Sequence, residues 1–130
     1  MAPPLPIAPQ AKNLLLLEDD AFFGEFLTEF LRRGGYRVTH VGNGLEGMDA
    51  LGREPFDAVV CDFVLPGLSG DRFYERAVRM RPELGRRFVF ITGRLPEAEF
   101  SEVLREAGSP LLRKPFPIDD LFRALAGLDA

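Results

Sequence analysis

Five short apolar runs alternate along this chain with five stretches whose apolar residues recur at helical spacing. That alternation constrains the fold more than any other feature. The runs are Leu14–Leu17, Tyr36–Val41, Phe56–Cys61, Phe88–Thr92 and a weaker one at Ser109–Arg113. Leu14–Leu17 and Phe56–Cys61 are nearly continuous, as strands buried on both faces require. Between the first two runs, Phe23, Phe26, Leu27, Phe30 and Leu31 form an inward-facing helical stripe, stopped by Arg32-Arg33 and Gly34-Gly35. Asn43 with Glu46 resembles a capping box for a helix reaching about Arg53. A third helix runs from Gly70 to Met80 and stops at Pro82. Pro96 opens a fourth, with Phe100, Val103, Leu104 and Ala107 facing in. Pro117 opens the fifth, with Ile118, Leu121, Phe122 and Leu125 facing in and Gly127 closing it.

Five βα units with short connections predict an α/β fold, a doubly wound sheet parallel throughout. The length of 130 residues is that of one domain. Residues 13–128 carry the pattern. Residues 1–12, with prolines at 3, 4, 6 and 9, read as a flexible Pro-rich leader and a possible linker remnant. A net charge of −4 argues against a dedicated nucleic-acid binder. Arg32-Arg33 and Arg86-Arg87 read as solvated faces. The single cysteine, Cys61, excludes an internal disulfide framework or a cysteine zinc site and reads as a small core residue. The apolar runs fall far short of the ~20 residues a membrane helix needs, so membrane insertion is not expected. A reducing cytoplasm is the natural compartment.

In a parallel doubly wound sheet, polar ligands bind beyond the carboxyl ends of the strands. After the first run stand Glu18, Asp19 and Asp20; after the third, Asp62. The fourth ends on Thr92, and Lys114 follows the fifth. Carboxylates crowded at one point need something positive among them. An all-oxygen set suits a hard divalent cation, Mg2+ first. A lysine and a hydroxyl facing the same point suit phosphoryl oxygens, and one carboxylate could then act as nucleophile.

The stretches LLLLEDD, CDFVLPGLSG, FVFITG and LLRKPF, in this order and each at a predicted strand end, resemble the receiver domain of two-component response regulators. The resemblance covers roughly residues 13–127. It implies a flavodoxin-like five-stranded parallel sheet in the order 2-1-3-4-5 with five helices. It also implies that Asp62 is the phosphoacceptor. Glu18 and Asp19 match the acidic pair, Asp19 touching Mg2+ directly and Glu18 largely through water. The Val64 carbonyl is implied as a further metal ligand, Thr92 as the hydroxyl that starts the switch, and Lys114 as the partner of the phosphoryl oxygen, with a cis Lys114–Pro115 bond. Asp20 falls outside the pair and reads as a helix cap.

The implied partners are a sensor histidine kinase or phosphotransfer protein and a downstream protein on the helix 4–strand 5–helix 5 face. The implied state is a monomer or a phosphorylation-dependent dimer. The segment RPELGRRFVFITGR is similar to receivers fused to sensor kinases. One departure stands out: Leu111 occupies a position where receivers usually carry an aromatic ring, which moves the expected readout toward the fourth helix around Arg94–Phe100. Arg113 should face away from Lys114, toward solvent.

Other readings stand beside this one. The domain could bind a partner without phosphorylation. GNGLEG, Gly42 to Gly47, matches a dinucleotide fingerprint, although Glu18, Asp19, Thr92 and Lys114 would then be unexplained. A phosphatase or phosphotransferase with an aspartyl intermediate typically has a second aspartate two residues after the first, where this chain has Val64. His40, the sole histidine, reads as a solvated strand-end residue ahead of a phosphohistidine, and Phe22, off the helix's apolar stripe, as packing on a loop ahead of standing partly exposed near the acidic cluster.

Overall fold

The computed structural model describes residues 12–93, 102 and 105–129. Strand β1 is Lys12–Leu17, helix α1 Ala21–Arg33, β2 Tyr36–Val41, α2 Gly44–Arg53 and β3 Ala58–Asp62. Then come α3 Gly70–Met80, a 3-10 turn Pro82–Arg86 and β4 Phe88–Thr92. Residues 102 and 105–107 are helical (α4), followed by β5 Leu111–Arg113 and α5 Ile118–Gly127. The five strands form one sheet in the order β2-β1-β3-β4-β5, and all four pairings are parallel.

The leucine run shows why the sheet is buried on both sides. Leu15 and Leu17 join a core with Val59, Phe90, Phe73 and Leu51, beneath α2 and α3. Leu14 and Leu16 point the other way, into a core with Val60, Ile91, Leu27 and Leu121, beneath α1 and α5. Successive strand residues alternate faces, so a run with no polar member must be covered twice. Each such leucine contributes about 1.5–3 kcal/mol by leaving water.

Several boundaries differ from the expectations. β3 spans Ala58–Asp62 rather than Phe56–Cys61. Just before the strand, Asp57 still holds Asn13 of β1: its N–H donates to the Asn13 carbonyl at 2.7 Å and its carboxylate accepts the Asn13 N–H at 2.8 Å. β5 starts at Leu111 rather than Ser109, since Pro110 has no N–H to donate and offers only its carbonyl to Phe90. After Pro82 the chain makes a 3-10 turn that buries Leu84, a feature the pattern did not announce.

On α1 the buried stripe is narrower than expected: Leu27 and Leu31 are fully buried, but Phe26 is 48% exposed and Phe22 is 87% exposed. One residue turns the helix by about 100°, which carries Phe26 and Phe22 off the face centred on Leu27. Phe22 therefore lies in solvent rather than on a loop. Arg87 is not simply solvated: it donates to the carbonyls of Asp57 and Leu128 at 2.7 and 2.9 Å and pairs with Asp129. Arg86 and Arg113 are exposed as expected. The Pro-rich leader, apart from Lys12, and the segment Arg94–Phe100 lie outside the described residues. Among the described residues no helix is long and apolar enough to cross a membrane.

Candidate functional site

Glu18 follows the last residue of β1 and is 1% exposed. Its N–H donates to the Val41 carbonyl at 3.0 Å, continuing the pairing with β2. Its carboxylate turns inward and accepts the Asp20 N–H at 3.2 Å. Asp20 is the N-cap of α1, accepting the Phe23 N–H at 3.0 Å, as its position suggested. Asp19, between them, is exposed at the mouth.

Asp62 ends β3 and is 3% exposed. One carboxylate oxygen accepts the Val64 N–H at 2.9 Å; the other accepts from Lys114 Nζ at 2.7 Å. The loop after Asp62 folds back tightly onto the strand. A Cβ at Gly70 would lie 2.4 Å from the Asp62 carbonyl oxygen, and the Gly70 N–H closes the loop on Phe63 at 3.0 Å. Gly67 takes φ +79°, where an L side chain is strained.

Lys114 follows β5. Its N–H donates to the Thr92 carbonyl at 2.7 Å, and the Lys114–Pro115 peptide is cis. Its ammonium bonds to both Glu18 and Asp62 and lies 4.9 Å from the centre of the Phe23 ring, a cation–π arrangement. Thr92 is buried at the end of β4, on the strand between β3 and β5.

Burial pushes the Glu18 carboxyl above its ordinary value, with the Asp62 charge adding; the Lys114 and Asp20 hydrogen bonds pull the other way. For Lys114, burial lowers the ammonium's pKa, but the hydrogen bonds to Asp62 and Glu18 and their charges more than compensate, so it is raised.

Carboxylate oxygens of Glu18, Asp19 and Asp62 lie within 4.8 Å of one another. Three carboxylates thus face one ammonium, an excess of negative charge in a partly buried, all-oxygen setting. This donor set fits a hard divalent cation and lacks the nitrogen and sulfur donors that softer metals select.

Of the sequence-predicted site residues, the fold brings Glu18, Asp19, Asp62 and Lys114 into one cluster. Val64 joins through its N–H, and Thr92 adjoins through the main chain of Lys114. Two participants escaped the sequence reading. Phe23 lies under the ammonium, and His40, half-buried rather than simply solvated, holds the Glu18 carbonyl at 2.8 Å. Two of the three glycines of GNGLEG serve packing: a Cβ at Gly44 would lie 2.3 Å from the Leu68 carbonyl oxygen, and one at Gly47 would lie 2.5 Å from Leu17, whereas one at Gly42 would meet nothing within 4 Å.

The sequence model of the response regulator receiver domain matches residues 14–126. The chain belongs to the response regulator receiver family. Response regulator receiver protein CpdR of Brucella abortus is 36% identical over 110 residues, covering 85% of this chain and 90% of that protein. The transcriptional activator protein PfeR of Pseudomonas aeruginosa is 36% identical over 109 residues, but the match covers only 35% of its length and 84% of this chain.

Among solved structures, a CheY-like receiver domain protein from Methanospirillum hungatei superposes with a TM-score of 0.83 at 27% identity, covering 92% of this chain and 95% of that one. The receiver domain of the sensor histidine kinase PA1611 from Pseudomonas aeruginosa has a TM-score of 0.79 at 27% identity, covering 92% of this chain and 99% of that one. That structure has a magnesium ion coordinated in its active site cleft. The strand order and the parallel pairings are those of the receiver fold.

Proposed function

We propose that this domain is a phosphoacceptor switch that takes a phosphoryl group on Asp62, with Mg2+, from a phosphohistidine of a sensor histidine kinase or phosphotransfer protein. The observation that carries this reading is the Lys114 ammonium set between two buried carboxylates, Glu18 and Asp62, beside a third at Asp19. A purely structural ion pair would not need three carboxylates for one lysine.

Glu18, Asp19, Asp62 and the Val64 carbonyl would hold the cation. When bound, it supplies charge neutralisation for the acids and for incoming phosphoryl oxygens. In the transfer, an oxygen of Asp62 attacks phosphorus, the phosphorus–nitrogen bond of the donor breaks, and the donor imidazole keeps the electron pair. Lys114 moves from the Asp62 carboxylate to a phosphoryl oxygen, where it offsets the charge that Asp62 has given up. Thr92 donates its hydroxyl to another phosphoryl oxygen. Attack of water on phosphorus later restores the carboxylate and releases inorganic phosphate.

The chemistry is the domain's own modification and its reversal, which makes it a switch rather than an enzyme acting on a substrate pool. Phosphorylation then biases a two-state equilibrium read by a downstream protein on the α4–β5–α5 face. With Leu111 on β5, that readout runs through repacking of α4 rather than through a swinging ring. A cytoplasmic setting, a monomer or phosphorylation-dependent dimer, and a flexible leader before a domain at 13–128 complete the reading.

The test is intact mass after incubation with acetyl phosphate, with Mg2+ and with EDTA, beside Asp62→Asn. The expected result is one added phosphoryl group that requires both Mg2+ and Asp62. Full labelling of Asp62→Asn would remove Asp62 from the role.

A further inference from the structure

The ring of His40 occupies a notch that only glycine can provide. A Cβ placed on Gly24 would lie 2.1 Å from His40 Cε1 and 2.3 Å from Nε2. Gly24 sits inside α1, where glycine is the poorest helix former after proline. Its place there is explained by the ring that fills the space above it. From that notch Nε2 reaches the Glu18 carbonyl oxygen at 2.8 Å. A carbonyl only accepts, so Nε2 carries the hydrogen, in the neutral tautomer or the imidazolium alike.

That carbonyl belongs to the peptide joining Glu18 to Asp19. The peptide unit is planar, so fixing its oxygen fixes the plane from which both acids hang. The other main-chain group of Glu18, its N–H, is held by the Val41 carbonyl at 3.0 Å. Two successive residues at the end of β2 thus clamp Glu18 from both sides of its Cα. β2 carries none of the acids itself.

We infer that His40, seated on Gly24, is a positioning residue that sets the Glu18–Asp19 peptide so that the two carboxylates meet Asp62 at the cation site. This rests on the phosphoacceptor reading above and adds a residue to it. His40 touches neither cation nor phosphoryl group; it acts through the Glu18 main chain. Partners that orient a metal's ligands are commonly worth tenfold or more in affinity.

The experiment uses Mn2+ as the probe, titrated into the unphosphorylated domain and followed by the paramagnetic resonance signal of the free ion. It is run at a temperature where circular dichroism shows every variant folded. His40→Ala is expected to weaken Mn2+ binding about tenfold. His40→Gln, whose side-chain amide offers an N–H donor at similar reach, recovers most of the loss. Gly24→Ala improves intrinsic helix propensity yet weakens Mn2+, because the methyl displaces the ring. In the His40→Ala background the same methyl adds no further loss, since it has nothing left to displace.

Wild-type affinity in folded His40→Ala, with normal phosphate uptake by the wild type, overturns this inference alone. Additive losses in the double variant overturn it too, because Gly24 would then act by another route. A wild type that neither binds Mn2+ nor takes up phosphate overturns the phosphoacceptor reading and this inference with it. Should His40→Ala fail to fold, His40→Gln and Gly24→Ala carry the test: retained affinity in the first and lost affinity in the second are both required.

Discussion

Replacing Asp62 by Asn should make the cation-free domain more stable, although it removes the proposed phosphoacceptor. At 4.8 Å, the separation that bounds the acidic cluster, Glu18 and Asp62 repel by about 3.5 kcal/mol with an effective dielectric constant of about 20. Asp19 is exposed, so its repulsion of Asp62 is closer to the aqueous value of about 1 kcal/mol. Against this, Lys114 at 2.7 Å attracts Asp62 by about 6 kcal/mol on the same basis. The Coulomb balance favours the carboxylate by only about 1.5 kcal/mol, whereas desolvating a buried carboxylate costs several kcal/mol. Asn keeps an oxygen for the Val64 N–H, so no backbone donor is stranded, and Lys114, from which the amide NH2 cannot accept, retains its bond to Glu18. The expected gain is about 1–2 kcal/mol in EDTA, equivalent to a rise in Tm of about 3–8 °C.

Saturating Mg2+ should reverse the order. A cation at a hundred times its Kd stabilises the wild type by about 2.7 kcal/mol, and the variant, lacking one carboxylate, gains less. Urea unfolding in EDTA and in Mg2+ measures both arms. A variant less stable than wild type in EDTA would refute the reasoning, because the carboxylate would then be holding the fold together rather than straining it.

Lys114→Ala should reduce phosphorylation by acetyl phosphate by about 100-fold or more while the domain stays folded, as intact mass against time and circular dichroism will show. On α1, Leu27→Ala should cost about 2–5 kcal/mol in urea unfolding, while Phe22→Ala, at a site 87% exposed, should stay within about 0.5 kcal/mol. Asp129 is held below its ordinary value of 3.8, first by the hydrogen bond from Lys12, against the opposing effect of burial, and with further help from the hydrogen bond and charge of Arg87. Its folded-state pKa is depressed, so its contribution is present above pH 3.8 and lost as pH falls through the lowered value. Asp129→Asn should therefore flatten the acid limb of stability in that window, as measured by urea unfolding between neutral pH and pH 2–3.

The architecture and the members of the acidic cluster are legible in the order of residues alone. Four leucines without a polar member, in a chain that alternates such runs with helical stretches, read as a strand covered on both faces, and the spacing from Phe23 to Leu31 reads as a helix. Once the strands are parallel, the residues after them share one edge, so Glu18, Asp62, Thr92 and Lys114 were legible before any coordinate. These readings depend on periodicity and topology, which are properties of the chain's order.

Which way individual side chains turn depends instead on packing between elements. Phe26 differs from Phe23 by only about 60° around the helix, too little for an apolar stripe to separate, and packing against the sheet set Phe23 beside Lys114 and left Phe26 half in solvent. Arg87 became an anchor because the ends of β1 and α5 arrive beside it. His40 reaches the site because α1, folding back over the neighbouring strand, lays a glycine under its ring and leaves the Glu18 carbonyl within hydrogen-bond distance. Such contacts join residues of low local information across the sheet edge, and their energy depends on distances of tenths of an ångström that no pattern of residue types encodes.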